Sequence, residues 1–123
     1  MLIVDDSPVA LAFLEAIFKG AYFEVETAGN GIEGLDKALR NEPDLVVTDG
    51  LMPDVDGFEL IRRLKSHASL ANIPIVMLTS GDFNGVEYTS RSPQPDAFVA
   101  KSMQIDPLMN QVKALLAARS KRS

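Results

Sequence analysis

The sequence predicts an α/β fold, one domain built on a parallel sheet covered by helices. Three observations predict it. Short, nearly continuous apolar runs recur, LIV at 2–4, LVV at 45–47, IVML at 75–78 and AFVA at 97–100, with the composition of strands buried on both faces. Segments with helical start signals lie between these runs. Strand and helix therefore alternate, which calls for parallel strands joined by right-handed crossovers. The length of 123 residues suits a single domain over 1–123, with a basic end at 117–123 expected to fray.

The first strand, 2–4, runs into Asp5-Asp6. Ser7-Pro8 then supplies an N-cap and a first-turn proline. From Val9 to Phe18 only Glu15 is polar, so the first helix has more apolar surface than one sheet-facing stripe needs. The second strand reads Phe23-Glu24-Val25-Glu26-Thr27, an alternation with charges on one face that suits a half-exposed edge strand.

GNGIEG follows at 29–34 and matches the G-x-G-x-x-G pattern of dinucleotide-binding turns, with Asp49 lying 18 residues beyond Gly31. That motif needs a central strand at a crevice where strand order reverses. Beside an edge strand it reads as a turn and helix start, with Asn30 and Glu33 at capping-box spacing and Gly34 as a helix glycine or close packing point.

The third strand ends at Asp49, and Asp56 with Glu59 opens the third helix. The fourth strand ends in Thr79-Ser80. Residues 81–97 should hold the helix between the fourth and fifth strands, but their apolar residues are sparse and Pro93 and Pro95 close the segment. A weak or irregular fourth helix of at most two turns is expected there. The fifth strand, 97–100, is followed by Lys101. Asp106-Pro107 repeats the cap-plus-proline signal before a last helix whose Leu108, Met109, Val112, Leu115 and Leu116 form one stripe.

Bulk properties narrow the function. No cysteine is present, which excludes disulfides, thiolate metal sites and cysteine nucleophiles and is compatible with a reducing, cytoplasmic setting. No apolar run approaches the ~18 residues of a membrane span, and no signal peptide precedes the first strand. A net charge of −5 argues against a direct nucleic-acid surface.

The chemistry gathers at strand ends. Asp5-Asp6, Asp49, Thr79-Ser80 and Lys101 all stand at or just after the carboxyl ends of central strands, the edge where open α/β sheets bind ligands. Taken singly, paired aspartates serve turns and caps, and a lone lysine is a solvated surface group. Together they form a site of three carboxylates, a hydroxyl and an ammonium. Three carboxylates need a cation, and all-oxygen ligands favour Mg²⁺, with Asp6 and Asp49 as direct ligands and Asp5 orienting metal-bound water. Lys101 and Thr79 suit an incoming anion, and a carboxylate there can serve as the nucleophile in phosphoryl transfer.

LIVDDS, DLVVTDGLMPDVDGFEL, IPIVMLTS and AFVAKS, in this order, resemble the response-regulator receiver domain of two-component signalling. The spacing is family-like: 43 residues from Asp6 to Asp49, 30 more to Thr79 and 22 more to Lys101. The resemblance implies a flavodoxin-like, doubly wound, five-stranded sheet of order 2-1-3-4-5. It implies that Asp49 accepts a phosphoryl group from a histidine kinase or histidine phosphotransfer protein. It implies Mg²⁺ held by Asp5, Asp6, Asp49 and the backbone carbonyl of Leu51, with Thr79 and Lys101 contacting the attached phosphoryl group. Phe98 matches the family's switch aromatic, and the apolar first helix matches its usual docking face. One departure is Ser102, which follows the lysine where the family usually has proline.

Two other classes compete. A Mg²⁺-dependent hydrolase working through an aspartyl phosphate usually has a second aspartate two residues after the nucleophile, where this chain has Leu51. A pseudo-receiver, binding partners without phosphorylation, would not need the complete acceptor set.

Overall fold

Five parallel strands pair in the order β2-β1-β3-β4-β5 in the computed structural model, which describes residues 1–52, 55–79, 92–101 and 104–120. The elements in chain order are β1 (Leu2–Val4), α1 (Pro8–Gly20), β2 (Glu26–Ala28), α2 (Gly31–Asn41), β3 (Val46–Asp49), α3 (Gly57–Lys65), β4 (Ile75–Thr79), β5 (Ala97–Ala100) and α4 (Asp106–Ser120). The expected α/β class and the strand order both hold, with β2 at one edge and β5 at the other.

The near-continuous apolar runs have a direct cause. Leu2, Val4, Val46, Ile75 and Met77 pack on one face against Ala38 of α2 and Phe58, Ile61 and Leu64 of α3. Ile3, Val47, Val76, Leu78 and Val99 pack on the other against Leu14 and Phe18 of α1 and Leu108 and Val112 of α4. Successive strand residues therefore enter opposite cores, and both sets must be apolar.

The helix starts follow the sequence signals. Ser7 Oγ accepts the Ala10 N–H at 3.2 Å, and Asp56 Oδ1 accepts that of Glu59 at 2.9 Å. Asn30 Oδ1 accepts the Glu33 N–H at 2.8 Å, while Glu33 reaches back to the Gly29 N–H at 3.1 Å. The Glu33 N–H is an otherwise orphaned helix donor, and the Glu33 side chain in return ties down the turn just ahead of the cap. Gly34 is a close packing point, since a Cβ there would lie 2.9 Å from Val4 Cγ2. GNGIEG thus seats α2 on β1, and its glycines hold no nucleotide crevice.

Three expectations need correction. The second strand pairs only over Glu26–Ala28, not from Phe23, because α1 is still being closed off there: the Tyr22 N–H donates to Lys19 O and that of Phe23 to Phe18 O, both at 3.0 Å. The last helix begins at Asp106, which therefore lies in its first turn rather than ahead of it. The apolar excess of α1 is also smaller than its sequence suggests, because Leu11 and Phe13 pack on the core and Val9 alone among its large apolar side chains is widely exposed, at 79%. The expected weak helix between β4 and β5, Ser80, the Lys101-Ser102 peptide and the tail from 121 lie outside the described residues.

Candidate functional site at the carboxyl edge of the sheet

Register decides which side chains meet. Val4 pairs with Thr48, so Asp5 and Asp49 emerge side by side from β1 and β3. Thr79 pairs with Ala100, so Lys101 leaves the sheet one residue beyond Thr79. Backbone bonds extend this pairing past the strands: Gly50 N–H reaches Leu78 O at 3.0 Å, and Lys101 N–H reaches Thr79 O at 2.7 Å.

Asp5 is fully buried. Its Oδ1 accepts the Ser7 N–H at 2.9 Å, so Ser7 both caps α1 and orients this carboxylate. Its Oδ2 lies 2.6 Å from Lys101 Nζ, an ion pair, and this oxygen is buried with no further hydrogen-bond partner among the described residues. Asp49 is buried at the end of the central strand, with Oδ1 accepting the Leu51 N–H at 3.3 Å and Oδ2 3.3 Å from Lys101 Nζ. Asp6 is exposed at the mouth. One oxygen from each of Asp5, Asp6 and Asp49 lies within 4.8 Å of the others.

The electrostatics follow from crowding. Burial raises the Asp49 carboxyl above its ordinary value; the Lys101 charge opposes that and the Asp5 charge adds to it. Burial acts to lower the Lys101 ammonium, but its contacts with Asp5 and Asp49 outweigh this and leave it raised. One ammonium thus serves two buried carboxylates, with a third at the rim. A buried Asp5 oxygen whose one charged contact is shared with Asp49, together with an all-oxygen donor set, suits a small, hard divalent cation.

The remaining expected residues stand around this centre. Thr79 is buried, and its hydroxyl donates to Val99 O at 3.5 Å, a long bond toward β5. Phe98 is half-buried, its ring centroid 6.5 Å from that of Phe58. Leu51 is 47% exposed beside Asp49. The structure therefore brings Asp5, Asp6, Asp49, Thr79 and Lys101 to one edge, with Leu51 and Phe98 flanking it.

One positioning residue was not read from the sequence. A Cβ on Gly57 would lie 2.6 Å from Asp49 O, and the Gly57 N–H donates to Gly50 O at 3.1 Å. Only glycine lets the start of α3 press so closely on the strand end that carries Asp49. The signal was Asp56-Gly57, read in the sequence as a helix cap and as the end of the family-like stretch MPDVDG at 52–57, but not as a packing constraint on Asp49.

A doubly wound α/β sheet with a carboxylate cluster at its topological switch point defines a flavodoxin-like domain of the kind that works at the carboxyl ends of its strands. The chain matches the family model for the response regulator receiver domain over residues 1–113 and belongs to that family, whose members are signalling switches of two-component systems. It is 46% identical over 80 residues to a gliding motility regulatory protein of Myxococcus xanthus, matching 65% of this chain and 10% of that protein. It is 33% identical over 115 residues to response regulator PleD of Caulobacter vibrioides, matching 94% of this chain and 25% of that protein. The chain thus spans a quarter or less of the length of these two relatives. A solved response regulator from Chloroflexus aurantiacus superposes with a TM-score of 0.86 at 33% identity, covering 94% of this chain and 95% of the other. No helix among the described residues is long and apolar enough to cross a membrane.

Proposed function

We propose that this chain is a phosphoacceptor switch, a single receiver domain over 1–123 working in the cytoplasm. It takes a phosphoryl group from a histidine kinase or histidine phosphotransfer protein onto Asp49. The observation that carries this reading is the placement of Asp49: buried at the end of the central strand, beside Asp5, with Lys101 Nζ 3.3 Å from its Oδ2.

A carboxylate oxygen of Asp49 forms the new P–O bond as the P–N bond of the donor phosphohistidine breaks, and the bonding pair leaves with the imidazole. Asp5, Asp6, Asp49 and the Leu51 carbonyl would hold Mg²⁺, which when bound supplies positive charge to offset carboxylate and phosphoryl oxygens. Lys101 neutralises the charge that arrives with the phosphoryl group. The domain thereby promotes its own phosphorylation and, with water as acceptor, its own dephosphorylation.

The switch uses residues already poised. Thr79 holds only a 3.5 Å bond to Val99 O, readily exchanged for a phosphoryl oxygen. Phe98 lies one residue from Val99, so a shift of Thr79 changes the room available to its half-buried ring. The donor docks on α1, where Val9, Phe13 and Leu14 line an apolar cleft of about 380 Å³ with Ile105, Leu108 and Lys101. That surface adjoins Asp49 through Lys101.

Intact-mass measurement tests this. Incubated with Mg²⁺ and a small acyl phosphate, the wild type should gain one phosphoryl group and Asp49→Asn none. Rapid multiple turnover of the donor would support the hydrolase instead, and no adduct would support a pseudo-receiver.

A further inference from the structure

The placement of Lys101 depends on the register of β5, and little in β5 itself sets that register. Residues 80–96 separate β4 from β5, too many for a tight turn to fix the pairing. Among the described residues β5 is an edge strand that pairs only with β4. Of its four residues Val99 alone is buried; Ala97 and Ala100 are small, and Phe98 is half-buried. Yet a slip of one residue would exchange the faces of Phe98 and Val99 and carry Lys101 about 3.3 Å along the sheet, away from Asp5 and Asp49.

Asp96 supplies the missing constraint. Its N–H donates to Ile75 O at 2.8 Å, and its Oδ2 accepts the Ile75 N–H at 2.7 Å. One residue therefore takes both backbone groups of Ile75, the first residue of β4. Ile75 is buried, so losing the carboxylate would leave a desolvated N–H unpaired. Asp96 itself is exposed, so it acts through these bonds and not through packing. The same pairing is closed at the other end by Lys101 N–H on Thr79 O at 2.7 Å.

We infer that Asp96 is a positioning residue for Lys101, its carboxylate locking β5 in the register that brings the ammonium to Asp5 and Asp49. The effect on phosphorylation rests on the function proposed above; the effect on register does not.

Three variants and two readouts test this. Asp96→Ala removes the acceptor, Asp96→Asn keeps an acceptor oxygen, and Phe23→Leu lowers stability at the far side of the fold. In Asp96→Ala, amide exchange at Val99 and Lys101 should accelerate about tenfold relative to Val47, and the phosphoryl adduct should form about tenfold more slowly. Asp96→Asn should stay within about threefold of wild type in both, because an amide oxygen still accepts the bond. Phe23→Leu should lose stability without slowing the adduct. Unchanged exchange in Asp96→Ala, an Asp96→Asn as impaired as Asp96→Ala, or equal slowing in Phe23→Leu would each overturn the inference. Should Asp96→Ala fail to fold, the wild-type Ile75 amide decides: protection equal to that of Val47 supports the clamp, and exchange at the rate of an open loop overturns it. A wild type that takes no adduct refutes the proposed function and leaves the exchange measurements to judge Asp96.

Discussion

Lys101 and Asp5 meet at 2.6 Å, Nζ to Oδ2, and this contact joins the last strand of the sheet to the first strand of the chain. Asp49 lies beside the pair, its Oδ2 3.3 Å from the same ammonium. The site is thus short of positive charge before any ligand arrives, and its behaviour follows from that shortage.

Asp49→Asn should stabilise the protein in chelator-treated buffer at pH 7 by about 1 kcal/mol, because a buried charge facing Asp5 is removed while the side chain's volume is kept. The sign of the pH dependence follows from burial raising the Asp49 carboxyl above 3.8. The folded state then holds the proton more tightly than the unfolded chain, so this group favours folding below 3.8 and loses that contribution as pH rises through the raised folded value. Urea titrations at both pH extremes should show the gap between variant and wild type narrowing as pH falls. A constant gap would contradict it.

Gly57 and Gly34 should part company. At Gly57 an added Cβ meets backbone, Asp49 O at 2.6 Å, whereas at Gly34 it meets the Val4 side chain at 2.9 Å. Gly57→Ala should cost about 2 kcal/mol and slow adduct formation, since relief requires moving the strand end that carries Asp49. Gly34→Ala should cost about 1 kcal/mol and leave the adduct rate unchanged. Denaturant midpoints paired with mass spectrometry read both.

Tyr22→Gly should stabilise the fold by about 1 kcal/mol. Tyr22 has φ of 70° and is 97% exposed, at the second position after α1, where the chain turns left-handed. The Phe23 N–H bond to Phe18 O and the edge-on contact of their rings, 5.5 Å apart, fix that turn without help from the tyrosine ring. A thermal midpoint that falls in Tyr22→Gly would show that the ring has a stabilising contact.

Val9→Glu should slow transfer from a protein phosphodonor without changing adduct formation from a small acyl phosphate. Val9 is 79% exposed and is not among the residues that contact Asp49, so the substitution touches docking and not chemistry. Equal slowing with both donors would contradict the docking role of α1.

These outcomes also indicate what was legible in the sequence. The edge position of the second strand followed from its charge alternation and the parallel sheet from the continuous apolar runs of the others, whereas the full strand order came only from the resemblance to receiver domains. The site was legible because Asp5, Asp49, Thr79 and Lys101 each end an apolar run, and parallel strands bring such ends together. The start of β2 was not legible, since the alternation of Phe23 and Val25 reflects packing at the end of α1 as well as a strand. The chain's glycine near that point is Gly20, two residues before the left-handed turn. Asp96 was missed because it acts on a partner distant in sequence, Ile75, through a register that no local pattern records, and Gly57 because its close approach to the Asp49 carbonyl is set by packing and not by its motif.

The most direct test of the central claim is to locate the phosphoryl group. An aspartyl phosphate is an acyl phosphate, so borohydride reduces it to homoserine, and peptide sequencing after reduction marks the carboxylate that carried it. The account predicts homoserine at position 49 alone, in wild type treated with donor and Mg²⁺. Homoserine at position 5 or 6, or none despite a stable mass adduct, would contradict it.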